Sequence, residues 1–289
     1  MFDVRRGLAP AKINLVLEVT GRRPDGYHEI DTILQTLALA DQVTQQRGDV
    51  PVVVTGPFAE GTPGDRTNLA WRAAAALGDR AGCDIAGLQI ALDKRIPAAG
   101  GLGGGASDAA TVLRLLQLEW PGVTDAQLLD AAAAVGSDEP FFVHGGTARA
   151  TGRGELVTPL APLTEHDVVL FIPPETIERK TARMFAALDE LPFDDGAVSG
   201  AFARRAAGPF TSADVFNTFE RVAFDLFPQL AALWEQLEER IGEAVRLAGA
   251  GPTLFWIGPL GRATAVARSA AGLACTVVET RTMGSLWRP

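Results

Sequence analysis

The sequence predicts an α+β protein of two domains, and three observations carry that. The chain has 289 residues, more than one ordinary hydrophobic core takes. A strand-like run, Gly87-Leu-Gln-Ile-Ala-Leu92, leads into a stretch with five glycines in six residues, from Gly100 to Gly105. A helical pattern from Ala109 to Leu118 follows it. Beyond about residue 160 strands alternate with helices and pair antiparallel, which suits an α+β second domain. The division is placed at residues 1–160 and 161–289.

Taken in order, residues 8–20 alternate as a strand, which puts Lys12 and Asn14 on one face because strand side chains repeat every two residues. A loop, Gly21 to Gly26, leads to Tyr27, the only tyrosine, and His28, one of three histidines. Residues 29–40 form a second strand, and 41–44 and 50–55 continue a β-rich start. Asp65-Arg-Thr-Asn68 caps a helix over 69–77. The helix after the glycines takes Ser107 or Asp108 as its N-cap and turns Val112, Leu115 and Leu116 to one face. A further helix covers 125–135. In the second half, 166–173 is a strand stopped by Pro173-Pro174, and helices follow over 178–189 and 229–241, with a loop-rich connection over 191–214. Residues 244–248 and 253–257 make a hairpin around Gly249-Ala250-Gly251, then a helix over 262–271 and a last strand over 275–279.

Composition narrows the function classes. Hydrophobic residues make up 47% and charged residues 21%, and no apolar run approaches the roughly 18 residues of a membrane span. The start, Met1-Phe-Asp-Val-Arg-Arg-Gly7, lacks the apolar core of a signal peptide, so a cytoplasmic protein is expected. Cys83 and Cys275 have no metal-ligand spacing and suggest no disulfide. A net charge of −9 argues against nucleic acid as a partner, so an anionic ligand must be met by local cations and backbone amides. There are only three lysines, Lys12, Lys94 and Lys180, against 23 arginines, and two of the three lie in the motifs below. An ammonium is a compact charge able to follow a phosphate.

The glycine run reads as a phosphate cradle, because glycine lets backbone N–H groups approach a ligand and a helix N-terminus favours negative charge. Gly-Lys occurs nowhere, which excludes a P-loop. Gly101-Leu-Gly103-Gly-Gly-Ala106 fits the dinucleotide pattern Gly-x-Gly-x-x-Gly/Ala literally. Against that, Lys94-Arg-Ile-Pro97 separates strand from glycines, and the acid about 20 residues on would be Glu119, at a helix end. A third option is the loop Pro-x-x-x-Gly-Leu-Gly-Ser-Ser-x-Ala, matched by Pro97-x-x-x-Gly101-Leu102-Gly103 with Gly104-Gly105 in place of two serines.

Several motifs in order carry a more specific resemblance: Pro10-Ala-Lys12-Ile-Asn14, Gly21-Arg-Arg-Pro-Asp-Gly26-Tyr27-His28, Lys94-Arg-Ile-Pro97, the glycine run, Gly136-Ser-Asp138-Glu-Pro140-Phe-Phe and Gly145-Gly-Thr147 to Glu155. Together they resemble the GHMP kinases, in the 4-diphosphocytidyl-2-C-methyl-D-erythritol kinase branch that serves non-mevalonate isoprenoid synthesis. The match is dense over 8–160 and thinner beyond, with Asn217-x-x-Glu220 and Gly249-Ala-Gly251-Pro252 as markers. The resemblance implies an N-terminal domain like ribosomal protein S5 domain 2, which binds ATP, and a ferredoxin-like C-terminal domain. It implies ATP with Mg2+, a small-molecule alcohol substrate carrying a cytidine diphosphate, no membrane or nucleic-acid partner, and a monomer or weak homodimer.

By the same resemblance Asp138 is the base, with Lys12 beside it to keep it ionised and to stabilise charge on the moving phosphoryl group. On its own residues, Ser137-Asp138-Glu139-Pro140 is equally a helix cap. Pro97, Ala98, Ala99, Gly100, Gly101, Leu102, Gly103, Gly104, Gly105, Ala106 and Ser107 correspond to the triphosphate wrap, and Lys94 and Asn68 to adenosine neighbours. Asn14, Tyr27, His28, Thr181 and Phe185 correspond to the substrate side, where His28 reads cytosine and Tyr27 stacks on it. Phe185 is by pattern also a core residue of the 178–189 helix. No metal-ligating residue is assigned; magnesium is left to phosphates and water. The chain departs from the family at Ala106, Ala248 and Ala250, where hydroxyl residues are usual, and at Thr218, where Asp is usual. Weakened phosphate affinity with intact chemistry is expected. The competing readings are a homoserine- or mevalonate-type kinase and a non-catalytic nucleotide binder.

Overall fold

The computed structural model describes residues 2–98, 100–174, 177–205 and 210–284. It begins with two long antiparallel strands, β1 (Arg5–Arg22) and β2 (His28–Arg47), and a short strand β3 (Val52–Thr55). Helix α1 (Leu69–Ala81), strand β4 (Leu88–Asp93), helices α2 (Gly104–Glu119), α3 (Asp125–Val135) and α4 (Glu139–His144), and the hairpin β5 (Thr147–Gly152) and β6 (Leu156–Pro159) complete the first part. Then come β7 (Asp167–Ile172), α5 (Lys180–Leu188), α6 (Ala197–Arg204), β8 (Phe216–Asn217), α7 (Ala223–Leu226), α8 (Pro228–Ile241), β9 (Arg246–Leu247), β10 (Leu254–Gly258), α9 (Ala263–Ser269) and β11 (Thr276–Arg281).

The strands make two sheets. The larger runs β3-β4-β2-β1-β8, with β5 on the other half of β2 and β6 beyond it. The length of β2 explains this: Gln42–Arg47 pairs with β4 and Ile30–Gln35 with β5. The smaller sheet runs β11-β7-β10-β9, all antiparallel. Every strand up to Pro159 belongs to the larger sheet, and from Asp167 on every strand but β8 belongs to the smaller.

Three apolar clusters hold the layers. One lies between α1, α2, α3 and the large sheet, with Trp71, Leu77, Val112, Leu116, Ile90 and Val43. A second lies under α5, α8 and α9, around Phe171, Trp256, Met184 and Leu237. The third joins the sheets: Ile13, Leu15, Ile33 and Leu37 from the first part meet Val168, Leu170, Phe255 and Ile257 from the second. With both faces covered, residues 9–19 of β1 are buried without a break, so the alternation visible in its sequence sets an apolar face against buried polar groups, Lys12, Asn14 and Glu18.

Three expectations are corrected. Helix α2 begins at Gly104, not after Ser107 or Asp108; both of those are buried inside its first turns. The stretch expected to be loop over 191–214 contains α6. Its N-terminus is met by Glu18 of β1, whose carboxylate accepts from Ser199 N at 2.7 Å, a partner 181 residues away. The hairpin β5–β6 was read only as motif residues, yet it completes the large sheet.

Candidate active site

Lys12 sits mid-strand on β1 and is 4% exposed. Register shifts on either side of it, between Pro10 and Lys12 and between Asn14 and Val16, locally loosen the ladder. Its backbone N–H donates to the Leu102 carbonyl at 2.9 Å, which ties the strand to the glycine run. Its Nζ donates to Asn14 Oδ1 at 2.8 Å and lies 3.9 Å from Asp138 Oδ2. Lys12 and Asn14 thus share a face as the strand period requires. Asn14 donates in turn to Thr32 Oγ1 at 2.8 Å, and Thr32 to the Val16 carbonyl. Burial lowers the pKa of Lys12, and the Asp138 charge opposes that shift.

Asp138 occupies the N-cap position of α4 but makes no side-chain cap hydrogen bond, and its side chain is 44% exposed. Its carboxylate therefore faces the cleft. Glu139 is 3% exposed instead, folded back on Gly136, where a Cβ would lie 2.3 Å from its Oε2. Burial, then the neighbouring Asp138, pushes the Glu139 carboxyl up to about 7.

The glycine run opens onto a cavity of about 780 Å³. Gly101 and Gly103 hold φ of +84° and +74°. A Cβ on Gly101 would stand 2.0 Å from the Ala248 carbonyl oxygen, and one on Gly103 would stand 2.7 Å from the Phe142 ring and 3.0 Å from the stem of Lys12. With α2 starting at Gly104, the free N–H groups of its first turn belong to Gly104, Gly105 and Ala106, of which only the last carries a side chain, a methyl. Pro97, Ala98, Gly100, Leu102, Gly104, Gly105 and Ala106 also line this cavity. Ser107 does not: three residues into the helix it turns inward, fully buried, with an Oγ that has no hydrogen-bond partner. Ala99 lies outside the described residues.

Lys94 and Asn68 line the same cavity, and both are also bound to the protein. Lys94 is gripped by the carboxylates of Asp41 and Asp108 and is 3% exposed. Burial, with Asp41 close by, raises the Asp108 carboxyl to about 7 against the pull of Lys94. Asp41 also accepts from Ile96 N at 2.7 Å, so one buried acid sets the path from β4 into the glycines. Asn68 is the N-cap of α1: its Oδ1 accepts from Ala70 N at 2.9 Å and its Nδ2 donates to the Pro63 carbonyl at 2.8 Å.

A second cavity of about 790 Å³ adjoins the first and is lined by Lys12, Asn14, Tyr27, His28, Asp138, Thr181 and Phe185 among others. His28 stacks on Phe185, with ring centroids 4.6 Å apart and planes at 16°. Its Nε2 lies 2.7 Å from Asp189 Oδ1. Tyr27 is 53% exposed, and the Arg153 guanidinium sits 4.8 Å over its ring. The structure therefore brings Phe185 to His28, and it leaves Tyr27 at the rim. Thr181 lies on the wall of both cavities.

Sequence reasoning missed several residues that build the site. Asp41, Asp108 and Asp189 act through partners remote in sequence. Asn217 and Glu220 were seen only as recurring markers. Asn217 Nδ2 donates to the carbonyls of Leu247 and Gly249, and Glu220 Oε1 accepts from Leu247 N at 3.1 Å. They press the Gly249 turn onto the site, where a Cβ on Gly249 would lie 3.3 Å from Lys12 Nζ.

Comparison with known proteins agrees with this geometry. The GHMP kinases N terminal domain matches residues 68–146 and the GHMP kinases C terminal domain matches 195–272. A 4-diphosphocytidyl-2-C-methyl-D-erythritol kinase of Dehalococcoides mccartyi is 40% identical, over 86% of this chain and 87% of its own length. One from a Geobacillus species is 39% identical over 86% of each. A crystal structure of 4-(cytidine 5'-diphospho)-2C-methyl-D-erythritol kinase superposes with a TM-score of 0.76 at 34% identity, covering 97% of this chain and 100% of the other. Homoserine kinase from Cytophaga hutchinsonii shares the fold alone, with a TM-score of 0.68 at 15% identity. On these grounds the chain is a GHMP kinase and belongs to the 4-diphosphocytidyl-2-C-methyl-D-erythritol kinase family.

Proposed function

We propose that this kinase transfers the γ-phosphoryl group of ATP to the 2-hydroxyl of 4-diphosphocytidyl-2-C-methyl-D-erythritol. The observation that carries the reading is the Lys12–Asp138 pair, 3.9 Å apart, on the wall of the cleft that adjoins the glycine cavity. Phosphoryl transfer asks a protein for positioning and charge neutralisation more than for covalent chemistry. The first-turn amides of α2, with Gly101 and Gly103, meet the phosphates. Asp138 accepts the proton of the substrate hydroxyl as its oxygen bonds to phosphorus and the bond to the ADP oxygen breaks. Lys12 neutralises the charge that develops on the transferred oxygens.

Mg2+ bound with the nucleotide supplies further charge neutralisation. We assign the ion to phosphate oxygens and water. His28, stacked on Phe185 and oriented by Asp189, offers a ring edge for a pyrimidine, and Tyr27 offers a face at the rim. Among the described residues no helix is long and apolar enough to cross a membrane. We read the protein as cytoplasmic and as a monomer or weak homodimer, which sedimentation checks.

The test is a coupled ADP-release assay on purified protein with the cytidine diphosphate substrate, MgATP and, in parallel, homoserine and mevalonate. Turnover with the first alone is expected. Turnover with homoserine or mevalonate and none with the cytidyl compound overturns the reading.

A further inference from the structure

The two cavities meet along a seam formed by Gly101, Gly103 and Ala106 on one side and Lys180, Thr181 and Ala182 on the other. A phosphoryl group passing from nucleotide to alcohol must cross it. Among the described residues, Lys180 is the one charged side chain that lines both cavities. It is also the third of the three lysines, and the other two line the same cavities, Lys94 the first and Lys12 the second. Lysine, otherwise displaced by 23 arginines, survives only around this cleft.

Lys180 is placed by its neighbours. It is the first residue of α5 and follows Arg179, whose φ of +52° is the one positive value outside glycine among the described residues. Its ammonium donates to the carbonyl oxygen of Gly251. That oxygen belongs to the turn whose Ala248 carbonyl abuts Gly101. The ammonium is thereby held beside the glycine run. Burial and then the like charge of Lys12 lower it to about 8. Both ammonium groups reach the same turn, Lys12 beside Gly249 and Lys180 at the Gly251 carbonyl, and two like charges so placed suit a polyanion between them.

The geometry points to Lys180 as a catalytic residue of the phosphoryl transfer, its ammonium touching a non-bridging oxygen of the γ-phosphoryl group together with Lys12. This rests on the kinase reading above but not on the identity of the alcohol. Lys180 exchanges no proton in the step; it remains an ammonium and takes up charge that grows as the phosphorus–oxygen bond to ADP breaks.

The test compares Lys180→Met with the parent in turnover and in affinity for a triphosphate analogue, AMP-PNP, and for ADP. Lys180→Met is expected to lose on the order of 100-fold in kcat, the cost of removing one such donor. AMP-PNP affinity should fall at least about tenfold while ADP affinity stays within about twofold. Lys180→Arg should keep part of the discrimination. A kcat within about twofold of the parent, or equal losses for AMP-PNP and ADP, overturns the proposal. A measurement on the parent protein guards against a variant that does not fold. With only three lysines, lysine side-chain NMR resolves each of them. The resonance lost in Lys180→Arg should titrate near pH 8 in the free protein and move well upward with AMP-PNP but not with ADP; no difference between the nucleotides overturns the assignment. If the parent fails to bind ATP at all, the kinase reading itself fails. If nucleotide discrimination holds but the cytidyl alcohol is not phosphorylated, only the acceptor is wrong.

Discussion

Asp138 holds a helix N-cap position without capping, and Asn68 holds one and caps with its Oδ1 while its Nδ2 ties down the Pro63 carbonyl. Removing each has a different expected outcome. Asp138→Asn should lower kcat about 1,000-fold, within the usual span of a general base, and leave thermal unfolding unchanged because no cap bond is lost. Asn68→Ala should cost about 1 kcal/mol in urea unfolding. Glu139, beside the base, is buried and carries a carboxyl raised from 4.5 to about 7. Between those values the native state holds a proton that the unfolded chain has released, so stability falls as pH rises through that window. Glu139→Gln should therefore stabilise the protein by roughly 1–3 kcal/mol at pH 8 and by almost nothing near pH 5, measured by urea unfolding at both. Ala106, which lines both cavities, is a further residue-scale test. Ala106→Ser should lower the KM for ATP about fivefold, the worth of one added hydrogen bond. Strand spacing puts Lys12 and Asn14 on one face, as the structure has them, whereas Asp138 comes only from the family resemblance, because its own residues read as a helix cap. The sequence could not show that Lys94 is gripped by Asp41 and Asp108, because that ion cluster joins three elements and each acid looks like an ordinary polar residue in its own.

At the scale of elements, the glycine run and the start of α2 act as one unit. The predicted N-cap at Ser107 or Asp108 followed ordinary capping preference, and it failed for a reason of function. A helix beginning at Gly104 presents bare amides to a ligand, where a capping side chain would have satisfied them itself. Gly101→Ala should abolish detectable nucleotide binding and lower the melting temperature, since its Cβ would press on the Ala248 carbonyl at a φ of +84°. Gly105→Ala, a helical position whose Cβ would meet only the Leu69 side chain at 3.2 Å, should bind nucleotide within a few fold of the parent by fluorescence titration. Helix α6 escaped the sequence reading because what fixes it is the buried Glu18 on β1, and local pattern carries no trace of a partner so distant. Strands β1 to β4, β7 and β9 to β11 and helices α1, α3 and α8 were legible because each carries its own periodicity and stop signals, while β5, β6 and β8 were not.

Over the whole molecule, two buried carboxyls, Asp108 and Glu139, and the partly buried Glu220 are raised to about 7, chiefly by desolvation. Half-buried His144, lowered from its usual value, opposes them weakly. Through these carboxyls the melting temperature should be higher at pH 5 than at pH 8, as a thermal scan at both would show. The α+β class could be read from strand and helix order, but the way the two sheets share a core could not. The third apolar cluster is drawn almost equally from both parts of the chain, and no stretch of sequence contains it.

The contact of Gly101 with the Ala248 carbonyl has a consequence for dividing the chain. A fragment ending at residue 160 would keep every residue of the glycine run, Lys12 and Asp138. It would lose the wall against which the run is folded, and one face of β1 would stand bare to water. Such a piece holds the reagents without the vessel, and it should precipitate alone yet recover nucleotide binding when produced together with 161–289.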